Sequence, residues 1–305
     1  MPNKHILVIG DTILDETIIS KVIGTSVETP TLKAQLQSSE VEFGGASNVV
    51  KNLLVLGADV TYITLAGFDQ YTQIYKDWDH PNLQLFCVEQ EGRQNMVKSR
   101  YWLKHGDSMY KHLQVNRGTK EPCDEDAFET ILKLSAAQKD IDCILLVDYS
   151  TGIYSSKLRA KTLIELLQRY KKPIIVSSQL SSNENKYPWF SGVDYMCMNS
   201  VEANANLQGF VSDNEYMEKI SNTLNSNICV TLGKEGSIFI KDQKTYYALP
   251  YSVRQVVDSC GAGDAFLAAF ALHCEESNID LCNKWAALST TQLGTRCASP
   301  ERLYD

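Results

Sequence analysis

The residues best placed for chemistry lie in Val256-Val257-Asp258-Ser259-Cys260-Gly261-Ala262-Gly263-Asp264, which runs into the apolar segment Ala265 to Cys274. Val256 and Val257 should end a strand, the small residues should turn the chain, and the apolar segment should form a buried helix. Gly261 and Gly263 allow a tight turn and a close approach of bare backbone N–H groups to a ligand. The helix that follows adds unpaired N–H groups and the positive end of its dipole. Together these suit a phosphate, or negative charge developing on one. Asp264 repels an anion in the ground state, but it can accept a proton from a hydroxyl attacking that phosphate. The competing reading is a glycine turn with Asp264 as a helix N-cap. Short glycine motifs arise by chance, so spacing alone does not separate the two.

Further polar residues fall where strands should end. His5 to Gly10 reads as a buried strand leading to Asp11 and Asp15. Phe43-Gly44-Gly45-Ala46-Ser47-Asn48 opens a segment of helical apolar spacing, with Gly57 as its C-cap. Taken singly, these residues cap or turn as readily as they bind. Lys98 and Arg100 alternate onto one face of a strand, either as a solvated sheet edge or as two cations facing a phosphate. Cys143 to Val147 should be a strand ending at Asp148. Met196 to Met198 delivers Asn199 and Glu202, spaced as a capping box or as a magnesium site. Ile228 to Leu232, which contains Thr231, delivers Gly233 and Gly236.

A scaffold must gather these residues. From Asp124 onward, strands alternate with amphipathic helices, such as Leu158 to Tyr170, which argues for a largely parallel, doubly wound sheet. Ligands then bind beyond the carboxyl ends of its strands. Two stretches break the alternation. Residues 12–41 read as several short strands. Residues 83–115 read as three, turning at Glu91-Gly92 and His105-Gly106-Asp107.

The 305 residues, 44% hydrophobic and 22% charged, can bury a substantial core. A net charge of −8 argues against a nucleic-acid-coating protein, and an anionic substrate would need cations placed locally. The nine cysteines are scattered without a CxxC pair, as expected of reduced, mostly buried thiols in a cytoplasmic protein with no zinc site. A strand entered by Ile6 leaves no room for a signal peptide, and Ala265 to Cys274 is too short to span a membrane.

DSCGAGDAF resembles the second signature, DTxGAGD, of the PfkB (ribokinase-like) carbohydrate kinases, with Ser259 in place of the usual Thr. The resemblance extends from about residue 5 to 300. It includes GDxxLD ending at Asp15, GGAxN from Gly44 to Asn48, NxxE from Asn199 to Glu202, and TxGxxG from Thr231 to Gly236. It implies a single ribokinase-like α/β domain over 1–305: a doubly wound, mostly parallel sheet flanked by helices, with a β-sheet lid from about 12–41 and 88–115. It further implies an anion hole at Cys260, Gly261, Ala262 and Gly263, with Asp264 as catalytic base. Asp15, Gly44, Gly45 and Asn48 would hold sugar hydroxyls, Lys98 and Arg100 a phosphate on the sugar, and Asp148 the acceptor. Asn199 and Glu202 would organise magnesium. Thr231, Gly233, Gly236, Asp258 and Asn283 would line the ATP site. The implied cofactors are ATP and Mg2+, with a monovalent cation left open. Separately, the exposed edges of an open lid sheet lead us to expect a second copy joined through the lid.

Within the family, GDTILDE, FGGASNV, VKSR, LVDYSTG and LGTRCASP are similar to the heptose-7-phosphate kinases, the kinase half of bacterial ADP-heptose synthase. A 305-residue chain is expected to carry no nucleotidyltransferase half. Three departures concern the site. Ser177-Ser178-Gln179 replaces the subgroup's Asp-Pro-Lys, Thr151 stands where a lysine is usual, and Ala203-Asn204 follows NxxE where an aromatic is common. The first two fall in the acceptor region. The expected activity is therefore ATP-dependent phosphorylation of a sugar or sugar phosphate, most closely a heptose 7-phosphate destined for surface glycan. The alternatives are a hexose or nucleoside kinase, or a non-catalytic sensor on the same fold.

Overall fold

Runs of Val, Ile and Leu bounded by turn residues become strands in the computed structural model, which describes residues 3–180, 184–207, 214–274 and 278–304. The strands are His5–Gly10 (β1), Thr12–Thr25 (β2), Leu32–Gly45 (β3), Asp59–Ala66 (β4), Leu83–Glu89 (β5), Val97–His105 (β6) and Ser108–Arg117 (β7). They continue with Cys143–Asp148 (β8), Ile174–Ser178 (β9), Tyr195–Asn199 (β10), Asn227–Thr231 (β11), Ser237–Lys241 (β12) and Lys244–Ala248 (β13). The helices are Ala46–Val55 (α1), Thr72–Lys76 (α2), Glu125–Ala136 (α3), Lys157–Gln168 (α4), Ser200–Leu207 (α5), Asn214–Leu224 (α6), Ala262–His273 (α7), Ile279–Ser289 (α8) and Glu301–Tyr304 (α9).

Nine strands form one sheet, in the order β13-β12-β11-β10-β9-β8-β1-β4-β5. All pairings from β5 across to β11 are parallel, and β12 and β13 close the far edge as an antiparallel hairpin. Both faces are covered, which is why the central strands are continuously apolar. Leu7 and Ile9 of β1 belong to the core shared with Phe128 of α3 and Leu163 of α4. Ile6 and Val8 point the other way, into the core of Val50 of α1 and Phe266 of α7. The chain leaves β1 toward β4 on one side and returns to β8 on the other. A crevice opens at that switch point beyond the carboxyl ends of β1 and β8.

The second sheet has the order β3-β2-β6-β7. Its first half is not several short strands: β2 and β3 are 14 residues each and pair antiparallel, with register shifts after Ile19 and Val22. β6 joins β2 in parallel and β7 closes the sheet. Leu83–Glu89 is not part of this lid, because it extends the large sheet beside β4 from the pair Val60–Leu83. A short apolar strand carries no local mark of which sheet it will join.

Val256 and Val257 do not end a strand. They are exposed residues of the segment after β13, and the Val257 N–H donates to the carbonyl of Thr290 (2.8 Å) at the end of α8. The antiparallel partner of β12 is β13, which forms the edge of the large sheet without them. Gly57 has φ 87° just after α1 and ends that helix, as its position suggested. No cysteine among the described residues is in a disulfide, and no helix among them is long and apolar enough to cross a membrane.

Candidate active site

The crevice is pinned from below by Asp11, which is fully buried at the end of β1. Its carboxylate accepts the N–H groups of Tyr149 (2.8 Å) and Thr151 (3.1 Å), and its carbonyl accepts that of Ala46 (3.2 Å). One side chain therefore fixes the turn after β8 and the start of α1 to the end of β1. Backbone N–H groups satisfy the charge that burial would otherwise penalise.

The turn before α7 is built as its glycines require. Gly261 is the N-cap residue with φ 80°, a left-handed conformation that side chains resist. A Cβ there would stand 2.6 Å from Asn48 Nδ2, whereas one at Gly263 would meet nothing within 4 Å. The backbone at Gly263 is thus open to a ligand at a helix N-terminus, as a phosphoryl cradle requires. Asp258 braces the turn from within the protein. Its two oxygens accept the N–H groups of Cys260 (3.1 Å) and Gly294 (3.2 Å), which ties the turn to the closing segment.

Asp264 is the third residue of α7 and does not cap it. Its Oδ2 accepts from Asn48 Nδ2 at 2.8 Å, and its Oδ1 accepts from the Tyr149 hydroxyl. Burial pushes the carboxyl up to about 6, while these two donors and Lys98 pull the other way. Asn48, expected to hold sugar, orients the Asp264 carboxylate from α1.

The lid supplies the opposite wall. Arg100 donates to Asp15 at 2.6 Å, with both side chains buried. A Cβ on Gly44 would collide with the Asp15 carboxylate, whereas Gly45, at φ 57°, packs against the Asp11 carbonyl and Ile13. Lys98 and Arg100 do not lie at a solvated edge, because β6 is an interior strand of the lid sheet. Lys98 Nζ sits 5.3 Å from the centre of the Tyr149 ring. Burial lowers its pKa, against the attraction of Asp15 and Asp264.

Asp148 is held by internal partners: Ser178 Oγ at 2.7 Å, the Ser150 N–H at 2.8 Å and Lys186 Nζ at 3.5 Å. Burial first, and Asp11 second, push its carboxyl up to about 7. Ser178 and Lys186 thus serve a carboxylate beside the loop where the usual Asp-Pro-Lys is replaced. Lys186 comes from a different place in the chain than either expected lysine.

Asn199 and Glu202 form a reciprocal capping box at the start of α5: each accepts the other's N–H at 2.9 Å. Glu202 also accepts from the Tyr187 hydroxyl at 3.3 Å, and burial raises its pKa. Among the described residues no group of three or more His, Cys, Asp and Glu is arranged to hold a metal. That donor set fits magnesium carried mainly by phosphate oxygens and water, with Asn199 and Glu202 nearby, and not a protein cage. Gly233 (φ 60°) and Gly236 (φ 95°) shape the turn after Thr231. Asn283 donates to the carbonyl of Leu249 at 3.0 Å, so it supports the chain just after β13.

Asp148, Asn199, Glu202, Thr231, Gly263 and Asp264 meet in one cavity of about 130 Å³. Asp258, Gly233, Gly236 and Asn283 lie outside its lining. Asp15, Lys98 and Arg100 approach from the lid. Sequence reasoning gave Tyr149 no role in the site and left Asp11 between capping and binding. Each lies at a strand end, but only the contact between distant segments reveals what it does.

The solved structures most similar in shape include phosphofructokinase-2 from Escherichia coli in complex with substrates and products. Its TM-score is 0.78 at 17% identity, with 99% of this chain and 97% of that chain covered. Ribokinase from Giardia lamblia gives a TM-score of 0.73 at 14% identity, over 99% of both chains. The fold is ribokinase-like. Among curated proteins, the bifunctional protein HldE of Campylobacter curvus is 27% identical over 310 residues, covering 97% of this chain and 63% of the relative. The HldE of Campylobacter jejuni (strain NCTC 11168) is 29% identical over 303 residues, covering 95% and 62%. The chain thus spans less than two thirds of the length of these relatives. A model described as pfkB family carbohydrate kinase matches residues 3–302, and the chain belongs to that family.

Proposed function

We propose that this protein transfers the γ-phosphoryl group of ATP to a hydroxyl of a sugar phosphate, with a heptose 7-phosphate as the nearest acceptor class. The observation that carries the reading is a buried carboxylate, Asp264, held by Asn48 beside an open glycine turn at a helix N-terminus. Asp264 takes the proton of the acceptor hydroxyl, and the N–H groups of the turn receive charge on the transferred group. Magnesium, when bound, neutralises the phosphates near Asn199 and Glu202. Lys98, half-buried on the lid and in no ion pair among the described residues, is the cation best placed for a phosphate on the acceptor. Arg100 is already committed to Asp15. The similarity to HldE proteins supports the heptose class and a role in supplying surface glycan from the cytoplasm.

The test is ADP release from ATP and magnesium across heptose phosphates, hexoses, hexose phosphates and nucleosides. Turnover on a heptose phosphate supports the reading. Turnover only on other acceptors keeps the kinase and discards the heptose. ATP binding with silence across the panel favours a non-catalytic sensor, a reading motivated by the altered loop Ser177-Ser178-Gln179. Potassium is varied in the same assay, because one structural neighbour is a potassium complex of phosphofructokinase-2.

A further inference from the structure

Both oxygens of Asp264 are occupied by side chains of the protein itself. Asn48 holds Oδ2, and the Tyr149 hydroxyl donates to Oδ1, the oxygen left to receive a proton from a substrate. Tyr149 is itself fixed through its N–H to Asp11 (2.8 Å), its ring lies under Lys98 of the lid, and its side chain lines the cavity with Gly263 and Asp264. We infer that Tyr149 is a positioning residue that guards the base. Its hydroxyl keeps Oδ1 covered while the acceptor is absent and yields that oxygen to the acceptor hydroxyl once the acceptor lies under the lid. This rests on the kinase reading.

The reason for a guard is chemical. With ATP bound and no acceptor, water at Oδ1 can attack. Its oxygen bonds to the γ-phosphorus, the bond to the ADP oxygen breaks, and the water proton passes to Asp264. ADP and inorganic phosphate are then released without useful transfer. A phenol covering Oδ1 excludes that water, and a sugar hydroxyl can replace the phenol because it makes the same kind of hydrogen bond. The contact between Lys98 and the ring joins the guard to the lid element that an acceptor would engage.

The experiment compares wild type with Tyr149→Phe at pH 8, measuring ADP release without acceptor and with the panel acceptor of highest turnover. Removing one hydrogen bond to a charged group is expected to raise acceptor-free release, relative to acceptor-dependent turnover, about tenfold. The charged and titratable groups facing Asp264 are Lys98 and Asp15 from the lid, Cys260 from its own turn and Cys297 from the closing segment. All of them remain in the variant. The Asp264 carboxyl, followed by carbon NMR, should therefore titrate about one unit higher or more, and the acidic limb of kcat/KM should move with it.

Acceptor-free release unchanged relative to acceptor-dependent turnover, or an unchanged Asp264 titration, overturns the guard. If wild type transfers to no acceptor but the titration still moves, the kinase reading fails and the hold of Tyr149 on the carboxyl stands. Should the variant not fold, fluorotyrosine at position 149 of the otherwise unaltered protein gives a second readout. Its fluorine resonance must shift on saturation with the acceptor, and a resonance that stays put overturns the proposal.

Discussion

At Asp264, burial and hydrogen bonding oppose one another, and the balance sets a working range. A carboxyl raised to about 6 is protonated below that pH and ionised above it. A base must be ionised, so kcat/KM should be flat above pH 7 and fall toward pH 5, with its acidic limb near 6. A limb near pH 4 would show that the carboxyl is not buried during turnover. Asp264→Asn should leave the thermal unfolding curve cooperative and reduce ADP release by at least ~100-fold. Near-normal turnover would remove Asp264 from the base role. Gly261→Ala places a side chain at φ 80° and 2.6 Å from Asn48 Nδ2. It should cost about 1–2 kcal/mol in chemical denaturation and lower turnover by displacing Asn48 from the base. Asp264 and its glycines are legible from the sequence because they are contiguous. Tyr149 is not, because its partner lies at residue 264 and nothing local to Asp148-Tyr149 specifies that contact.

At the scale of elements, the lid is anchored by a buried ion pair, Asp15–Arg100, joining β2 to β6. Breaking it by Arg100→Met leaves Asp15 buried without its cation and should destabilise the protein by about 3–5 kcal/mol, read as a lowered denaturation midpoint. A loss within ~0.5 kcal/mol would mean that the pair opens to water in solution. The strand carrying Lys98 and Arg100 is evident from alternation. Its interior place is not, since that depends on β7 returning to pair with it. The same limit explains Leu83–Glu89, a strand by pattern that only its pairing with β4 assigns to the large sheet. NxxE is a case where both sequence readings had physical merit. The structure realises the capping box, and a role toward magnesium remains with the proposed function.

Across the molecule, the closing segment couples the site to the lid. The Gly294 N–H donates to Asp258, Thr295 Oγ1 donates to the Phe43 carbonyl at 2.9 Å, and Arg296 pairs with Glu42 at 2.9 Å. The turn before α7 and the end of β3 are therefore held by one short stretch. The lid also carries exposed apolar side chains, including Ile23, Leu36, Met109 and Leu113, and its outer strands β3 and β7 have unpaired edges. Such a surface is expected to pair with a second copy through the lid. Light scattering at micromolar concentration should give a dimer for wild type and a monomer for Leu36→Lys combined with Leu113→Glu. A monomeric wild type removes the lid interface.

The sequence by itself determined the class of fold and most of its strands and helices, and it singled out the glycine turn with Asp264, because periodicity and a contiguous motif are local properties. Tertiary structure decided which sheet each short strand joined, that Val256 and Val257 form no strand, and that Asp11, Asp148 and Asp258 serve the protein's own backbone and side chains. It also decided that Asn48 and Tyr149 converge on Asp264. Those outcomes depend on groups distant in the chain competing for the same buried hydrogen bonds, and no local pattern records which of them prevails.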